Sequence, residues 1–547
     1  MTSQDTRPLL SEDQPSYTDL NPQPEQNENE AIAGKPPAEE PKVRMLAILL
    51  PVSLGTFLAA MDGTIVASSY AAIGSDLKQL QNSSWVATGY MLTLTSFQPL
   101  YGKLSDIYGR KTCLLFAYFI FGLGCLCCGL ARNMTELIAA RVLSGIGGGG
   151  MTTVVVVLFS DLVPLRQRGT WQGILNIMYA TGSASGAPLG GLIADSVGWR
   201  WSFLVQVPLT LIAFLSVLLA LHPPARAAST LSTSSKLRRV DFLGAFTLVV
   251  AVFSLLLGLD RGSNTSWSSP LSYGPLVIAL VMIFFFAYVE ITPALAQEPL
   301  APRHIIANPS LLGSYLAGFF GFASMMCDVF FAPLYAQAAL GKSATDAGTI
   351  LLPAIFLGVI GSLSAGLIMQ RTGKYKRLTV SAAVIYTMGA LVVYVMVMRQ
   401  SSWSLVGVIT GTALMQFGMG VVITTALIAL IANVTPSDQA VATAISYLFR
   451  SLGSVIGISA GSVLVQHNLR VYLKARLSGA DQDIDEIVRR VRESLSYVDS
   501  LDPVTRAIVR GTYEEALSAA FLMAAALAVC TLVSCLFIRE KSLGGAK

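Results

Sequence analysis

GKLSDIYGRK, residues 102–111, stands between two long apolar runs, and a weaker copy, GLIMQRTGKY, follows 264 residues later at 366–375. A charged, glycine-bracketed turn between membrane-length stretches, repeated once, points to a transporter assembled from two related halves. The rest of the chain agrees with a bilayer protein. Of its 547 residues 53% are hydrophobic and only 13% charged, and the mean hydropathy is +0.61, too apolar for a soluble domain. A net charge of +5 is modest. The basic residues sit in short loops rather than in stripes interleaved with aromatics, which argues against a nucleic-acid partner.

A span needs roughly 20 apolar residues, and fourteen candidate runs begin near residues 45, 83, 112, 135, 169, 199, 241, 275, 310, 347, 378, 404, 440 and 516. With a cytosolic amino terminus, the even-numbered connections carry the basic clusters: Lys103, Arg110 and Lys111; Arg166 and Arg168; Arg226, Lys236, Arg238 and Arg239; Arg303; Arg371, Lys374, Lys376 and Arg377. The opposite short loops carry about one basic residue each, which satisfies the positive-inside rule. Sequons at Asn82, Asn133 and Asn264 fall on the non-cytosolic side. Asn264 is the one in a loop of useful length and is the expected glycosylation acceptor.

Three segments flank or interrupt the spans. Residues 1–41, acidic and rich in Pro, Gln, Asn and Glu, read as a disordered cytosolic tail without a signal peptide. Its DTRPLL places Asp5 ahead of Leu9 and Leu10, the acidic-dileucine pattern that sorting adaptors recognise. Residues 466–515, beyond the cytosol, mix charge with helically spaced Ile484, Ile487, Val488, Val491 and Leu495, which predicts amphipathic helices on the membrane or over the lumenal mouth. Residues 539–547 form a short cytosolic tail.

The duplication can be followed by register. Asp62 and Asp328 stand 266 apart, each followed by a tyrosine (Tyr70, Tyr335) and a glycine (Gly74, Gly341). Gly182, Gly186 and Gly190 match Gly453, Gly457 and Gly461 at 271, and the loops at 163–169 and 435–440 align at 272. Spans 1–6 therefore pair with spans 9–14 and spans 7 and 8 are an insertion. The expected domains are a six-helix bundle at 42–221, a linker with two extra helices at 222–309, and a second six-helix bundle at 310–538.

On these residues the chain resembles the major facilitator superfamily, specifically its fourteen-span drug:proton antiporter branch, from residue 42 to about 540. The resemblance rests on GKLSDIYGRK, on Arg141, Gly145 and Gly147 as an RxxxGxG pattern in span 4, on the run from Gly173 to Gly191, and on GWRWSFLVQVP at 198–208. MDGTIVASSYAAIGSDL (61–77) and GSASGAPLGG (182–191) are similar to fungal vacuolar basic amino acid transporters of that branch. The antiporter run normally has proline directly after its third glycine. Here Ala187 intervenes and Pro188 follows, turning the expected kink by about 100° around the helix.

The resemblance implies that Asp106 and Arg110 form a cytosolic latch, Asp106 closing against the other half and Arg110 holding it, with Gly102 and Gly109 letting backbones approach and Lys111 adding charge. The second copy has Gln370 in place of Asp106, so its latch is weaker. A charged turn that does no more than set orientation is the plainer alternative.

Intramembrane charge marks substrate and proton sites, because an ionised Asp at a span centre costs on the order of 3 kcal/mol. Asp62 and Asp328 both lie about 7 Å to the lumenal side of mid-span by helical rise, a depth at which they would face each other across a cavity. Arg141 lies at a similar depth and could pair with Asp62, switching its proton affinity as the pair forms and breaks. Arg450, near the middle of span 13, either holds a substrate carboxylate or forms a fixed pair with Asp328; both readings are open. Tyr335 completes the expected site. Two acids and a central arginine suit lysine, arginine or histidine, exchanged for protons between cytosol and an acidic vacuole.

The alternatives are plasma-membrane export of drugs or toxic cations, an iron-siderophore carrier, and an amino acid sensor. An enzyme is not expected: HExxH is missing, and Gly147–Gly150 lacks the Lys-Ser/Thr of a phosphate loop. His222, His304 and His467 read as scattered loop residues and the seven cysteines as membrane-packed hydrophobes, so neither a metal nor a cofactor is called for.

Overall fold

The computed structural model describes residues 42–162, 168–221, 242–264, 268–292, 308–399, 403–435, 439–477 and 484–541. Asp5, Leu9 and Leu10 lie outside these residues, as do His222 and His304. The compact unit begins at Ala47.

Among the described residues all regular structure is helical. The first half comprises α1 (Lys42–Asp76), α2 (Ser84–Tyr108), α3 (Arg110–Leu130), α4 (Met134–Leu162), α5 (Arg168–Ser196), and the pair α6 (Arg200–Leu204) and α7 (Gln206–Ala220), separated only by Val205. Next come α8 (Phe242–Asn264) and α9 (Pro270–Ile291). The second half holds α10 (Pro309–Leu334), which runs into a π-helical turn at Tyr335–Ala339, then α11 (Ala344–Thr349), α12 (Leu352–Thr372), α13 (Lys376–Met398), α14 (Ser404–Asn433) and α15 (Gln439–Leu477). The short α16 (Ile484–Glu493) and α17 (Leu495–Ser500) lead to α18 (Pro503–Leu536).

Eleven of the described stretches are long and apolar enough to cross a bilayer. α2, α5 and α8 run 25, 29 and 23 residues and fall outside those eleven, α8 with a shorter apolar stretch at Phe246–Leu259. Counting these three as crossings as well is the fourteen-span proposal. Local chemistry sets several starts. Asn308 and Asp502 accept hydrogen bonds from Ser310 N and Thr505 N, each with proline at the first helical position, where a missing N–H costs nothing. The α2–α3 and α12–α13 connections turn on Gly109 and Gly373, at φ +89 and +65, a region that disfavours any side chain.

Glycines also fix the helix pairs. A Cβ on Gly182, Gly186 or Gly190 of α5 would collide with backbone of Phe57, Met61 and Ile65 on α1. On α15, Gly453 and Gly457 meet backbone of Phe319 and Ala323 of α10 in the same way, and Gly461 meets the side chains of Phe331 and Cys327. The small-residue spacing of four thus serves close backbone packing in both halves. Pro188 lies inside α5, which stays one helix from Arg168 to Ser196.

This packing corrects the register of the duplication. The α5 and α15 glycines are 271 apart as the sequence indicated, but their partners on α1 and α10 are 262 apart, not 266. The counterpart of Asp62 is therefore Ser324. Asp328 lies one helical turn further along α10, about 6 Å by helical rise, so the two acids are not at equal depth. Tyr70 and Tyr335 are likewise not equivalent.

Three smaller expectations also change. The segment 466–515 is not all surface helix: α15 continues to Leu477 and α18 already starts at Pro503, leaving α16 and α17 as the separate short helices. His467 belongs to α15 rather than to a loop. A Cβ on Gly102 would meet nothing within 4 Å, so this glycine does not serve a close approach in this conformation.

The two halves meet at the end of the molecule that carries α16 and α17, here called the capped end; the sequence assigns it to the lumen. Cross-half hydrogen bonds there join Gln337 Nε2 to Ser68 O (3.3 Å), Leu495 N to Ser75 Oγ (2.8 Å), and Thr345 N and Oγ1 to Asp195 Oδ2 (2.8 and 2.6 Å). Tyr70 stacks on Phe330 at 4.0 Å. One turn into α2, Thr88 Oγ1 lies 3.2 Å from Ser459 Oγ of α15.

Candidate functional site

Two buried charge centres, one in each half, differ in how far they are satisfied. In the first half, Arg141 of α4 is 1% exposed and Asp62 of α1 is 0% exposed. Arg141 Nη1 donates to both carboxylate oxygens of Asp62, at 2.9 and 2.8 Å, and Nε donates to Val86 O of α2 at 3.0 Å. Gln206 Nε2, at the start of α7, donates to Asp62 Oδ1 at 3.2 Å and to Ser202 O at 3.0 Å. The guanidinium lies 4.2 Å from the ring centre of Tyr90 and 5.6 Å from that of Phe203. Four helices thus enclose one ion pair whose charges and lone pairs are largely matched, the condition under which a buried pair can persist.

The second half lacks this closure. Asp328 of α10 is 2% exposed, and its Oδ1 has no hydrogen-bond partner. Thr412 of α14 lies beside it, with its own Oγ1 also unpartnered. The α4–α3 and α14–α13 contacts explain the difference. Gly147 meets Ala117 and Phe121, Gly418 meets Ala382 and Tyr386, and the two glycines are 271 apart. By that register Thr412 is the counterpart of Arg141. The second half has a carboxylate near the matching place and no arginine to hold it.

Arg450 of α15 does not fill the gap. Its side chain packs on Gly318 of α10, ten residues before Asp328 and about 15 Å from it along the helix axis. The guanidinium reaches Ile423 O at 3.5 Å, sits 5.6 and 5.4 Å from the ring centres of Phe322 and Tyr447, and leaves Nε without a partner. The fixed Arg450–Asp328 pair does not form. Its counterpart at 271 is Tyr179 on α5, which is half exposed.

Tyr335, in the π-helical turn, is fully buried and donates its hydroxyl to Glu514 Oε1 of α18 at 2.9 Å. At the opposite end, Arg110 Nη1 donates to Ser105 Oγ, and Lys111 Nζ donates to Leu218 O at 2.7 Å, tying α3 to α7. The side chain of Asp106 lies outside the described residues, and so does that of Asn264, the last residue of α8. Asn133, another sequon, caps the start of α4 reciprocally with Glu136, which accounts for it as a helix start.

The structure therefore brings Asp62 and Arg141 together and keeps Asp328, Arg450 and Tyr335 apart. Gln206, Thr412, Asp195 and Glu514 were not singled out in the sequence. A glutamine inside an otherwise apolar helix is itself a signal for Gln206. For Glu514 the signal is an acid two residues before an apolar run.

The Major Facilitator Superfamily profile matches residues 52–458. A vacuolar membrane amino acid uptake transporter of Schizosaccharomyces pombe, fnx2, is 38% identical over 92% of this chain and 85% of its own length. The multidrug resistance protein fnx1 of the same yeast is also 38% identical, over 90% and 92%. Vacuolar basic amino acid transporter 2 of Saccharomyces cerevisiae is 33% identical over 83% and 97%. Among solved structures, the inward-facing, occupied form of a bacterial homologue of the human lysosomal transporter Spinster superposes with a TM-score of 0.59 at 15% identity, over 91% of this chain and 97% of that one.

Proposed function

This chain belongs to the major facilitator superfamily and is a multi-pass membrane transporter of small molecules, not an enzyme; from that premise we propose that it moves basic amino acids into the vacuole in exchange for protons. The observation that carries this reading is the buried, unsatisfied pair of opposite charges in the second half, Asp328 and Arg450. A buried group without a partner is costly, on the order of 1–3 kcal/mol and more when charged, and such a cost is kept where a ligand relieves it. A cationic amino acid offers each group a partner in turn as it passes along the roughly 15 Å of helix between them, its carboxylate to Arg450 and its side-chain cation to Asp328.

Asp328 then holds either the substrate cation or a proton. An acidic lumen favours the proton and releases the substrate; the neutral cytosol reverses the choice. Asp62 no longer serves as a second substrate acid in this scheme, because Arg141 and Gln206 occupy it. The names of the S. pombe uptake transporter and the S. cerevisiae basic amino acid transporter support the substrate class and the compartment.

A second reading, export of aromatic or lipophilic cations, is favoured by the rings of Phe322 and Tyr447 beside Arg450 and by the similarity to fnx1. The deciding experiment is ATP-dependent uptake of labelled lysine, arginine and histidine into isolated vacuoles, with a protonophore control. Asp328→Asn should abolish protonophore-sensitive uptake. Arg450→Ala should raise the KM for lysine about thirtyfold or more, the equivalent of roughly 2 kcal/mol at a charge pair. Uptake indifferent to both substitutions refutes the proposal, and loss of drug export with unchanged lysine handling selects the second reading.

A further inference from the structure

Glu514 is a carboxylate that the proposed exchange leaves unused. It lies on α18 eleven residues from Pro503, about 16 Å along the helix, just ahead of the apolar run that begins near residue 516. It is half-buried, and its hydrogen bond from the fully buried Tyr335 hydroxyl is 2.9 Å long. The neighbouring cations are engaged elsewhere: Arg476 pairs with Glu515 at 2.5 Å and Arg510 with Asp499 at 2.9 Å. Among the described residues Glu514 has no cationic partner. A structural acid at this depth would be expected to recruit Arg510, one turn away on its own helix, and it does not.

The polar groups behind Glu514 form two rungs between α10 and α14. Tyr335 has Ser404 beside it, and Asp328 has Thr412 beside it. The rungs are seven residues apart on α10 and eight on α14, two turns in each case, as expected for antiparallel neighbours. Oδ1 of Asp328 and Oγ1 of Thr412 both lack a partner, the situation in which a buried water is expected to bridge. Between the rungs stands Val408, 0% exposed. With the capped end closed, this apolar step interrupts the line from Glu514 to Asp328.

We propose that Glu514 is the proton acceptor at the capped end, feeding Asp328 through Tyr335 when that end opens. A proton from lumenal water adds to the Glu514 carboxylate. It passes to the Tyr335 hydroxyl oxygen while the hydroxyl's own proton moves inward to water and on to Asp328, so the tyrosine stays neutral and Glu514 returns to its carboxylate. Val408 keeps the line closed while the opposite end is open, which prevents a proton leak. The inference rests on the proposed proton exchange at Asp328 and adds to it the group that loads the proton.

The test compares two transport modes in the full-length protein in isolated vacuoles. Substrate counterflow, labelled lysine exchanging with unlabelled lysine, needs no net proton movement, whereas uptake driven by a pH gradient does. Glu514→Gln should cut gradient-driven uptake at least tenfold with counterflow within twofold of wild type, Tyr335→Phe should do the same, and Glu514→Asp should restore much of the driven uptake. Gradient-driven uptake unchanged in Glu514→Gln overturns the proposal. Equal loss of both modes at normal protein level, unrelieved in Glu514→Asp, overturns it in favour of a packing role. If Asp328→Asn leaves driven uptake intact, the exchange mechanism itself fails, a result separable from failure of the relay.

Discussion

Arg141→Met tests whether the Asp62–Arg141 centre is a fixed, load-carrying ion pair. The substitution keeps an unbranched side chain of similar length but deletes two bonds to Asp62, one to Val86 O and the guanidinium over Tyr90. Asp62, fully buried, is left with Gln206 alone. Removing one partner of a buried pair costs about 3–5 kcal/mol, which at about 1.4 kcal/mol per tenfold lowers the folded-to-unfolded ratio by a hundredfold to a few thousandfold. Asp62→Asn should cost less, because Arg141 keeps Val86 O and the faces of Tyr90 and Phe203. The double substitution, which leaves no buried charge, should lie within about 2 kcal/mol of wild type. Unfolding in mixed micelles with increasing denaturing detergent, read by tryptophan fluorescence, gives all four corners of the cycle. A double variant no more stable than Arg141→Met would refute the reasoning, since the cost would then not reside in an uncompensated carboxylate.

Gly186→Ala should destabilise by about 1–3 kcal/mol in the same assay, because its Cβ would enter the space of Met61 O and force α1 from α5. Gly102→Ala, with nothing within 4 Å of the new Cβ, should leave stability unchanged and serves as its control. Asp195→Asn removes a charge-assisted acceptor from Thr345 N and Oγ1 across the halves. A loss of roughly 1–2 kcal/mol should shift the population about 5- to 30-fold towards an open capped end, seen as faster labelling of a cysteine placed at Gln337 by an impermeant maleimide.

Much of the fold was legible because membrane helices declare themselves by length and apolarity: thirteen of the fourteen expected starts fall within five residues of a helix start. The exception, 516 against Pro503, shows what hydropathy cannot see. The helical run from 503 to 515 carries Arg506, Arg510, Glu514 and Glu515, so it is invisible to an apolar window although a proline and an Asp502 cap announce it. The amphipathic spacing of α16 was readable, and Ile487, Val488 and Val491 are indeed buried. The glycine spacing on α5 and α15 was readable as well, since only close packing demands a small residue every turn. The contact between Asp62 and Arg141 could be anticipated from depth alone.

The register of α1 against α10 could not. Aligning the two halves by identical letters matched Asp62 with Asp328, whereas the backbone contacts of the α5 and α15 glycines match Asp62 with Ser324. A slip of four residues keeps a side chain on nearly the same helical face, so periodicity gives no warning of it. The corrected correspondence separates the halves chemically: Asp62 faces Ser324 in the duplicated plan, Arg141 faces Thr412, and Tyr179 faces Arg450. The first half satisfies its buried charge internally and can rock as a unit without exposing it. The second half carries an acid and a base whose partners are missing, so a change of ligand there changes its free energy directly. Under the proposed function that is where substrate and proton compete, and the chemical difference between the halves is one residue of the shared register, Thr412 where the first half has Arg141.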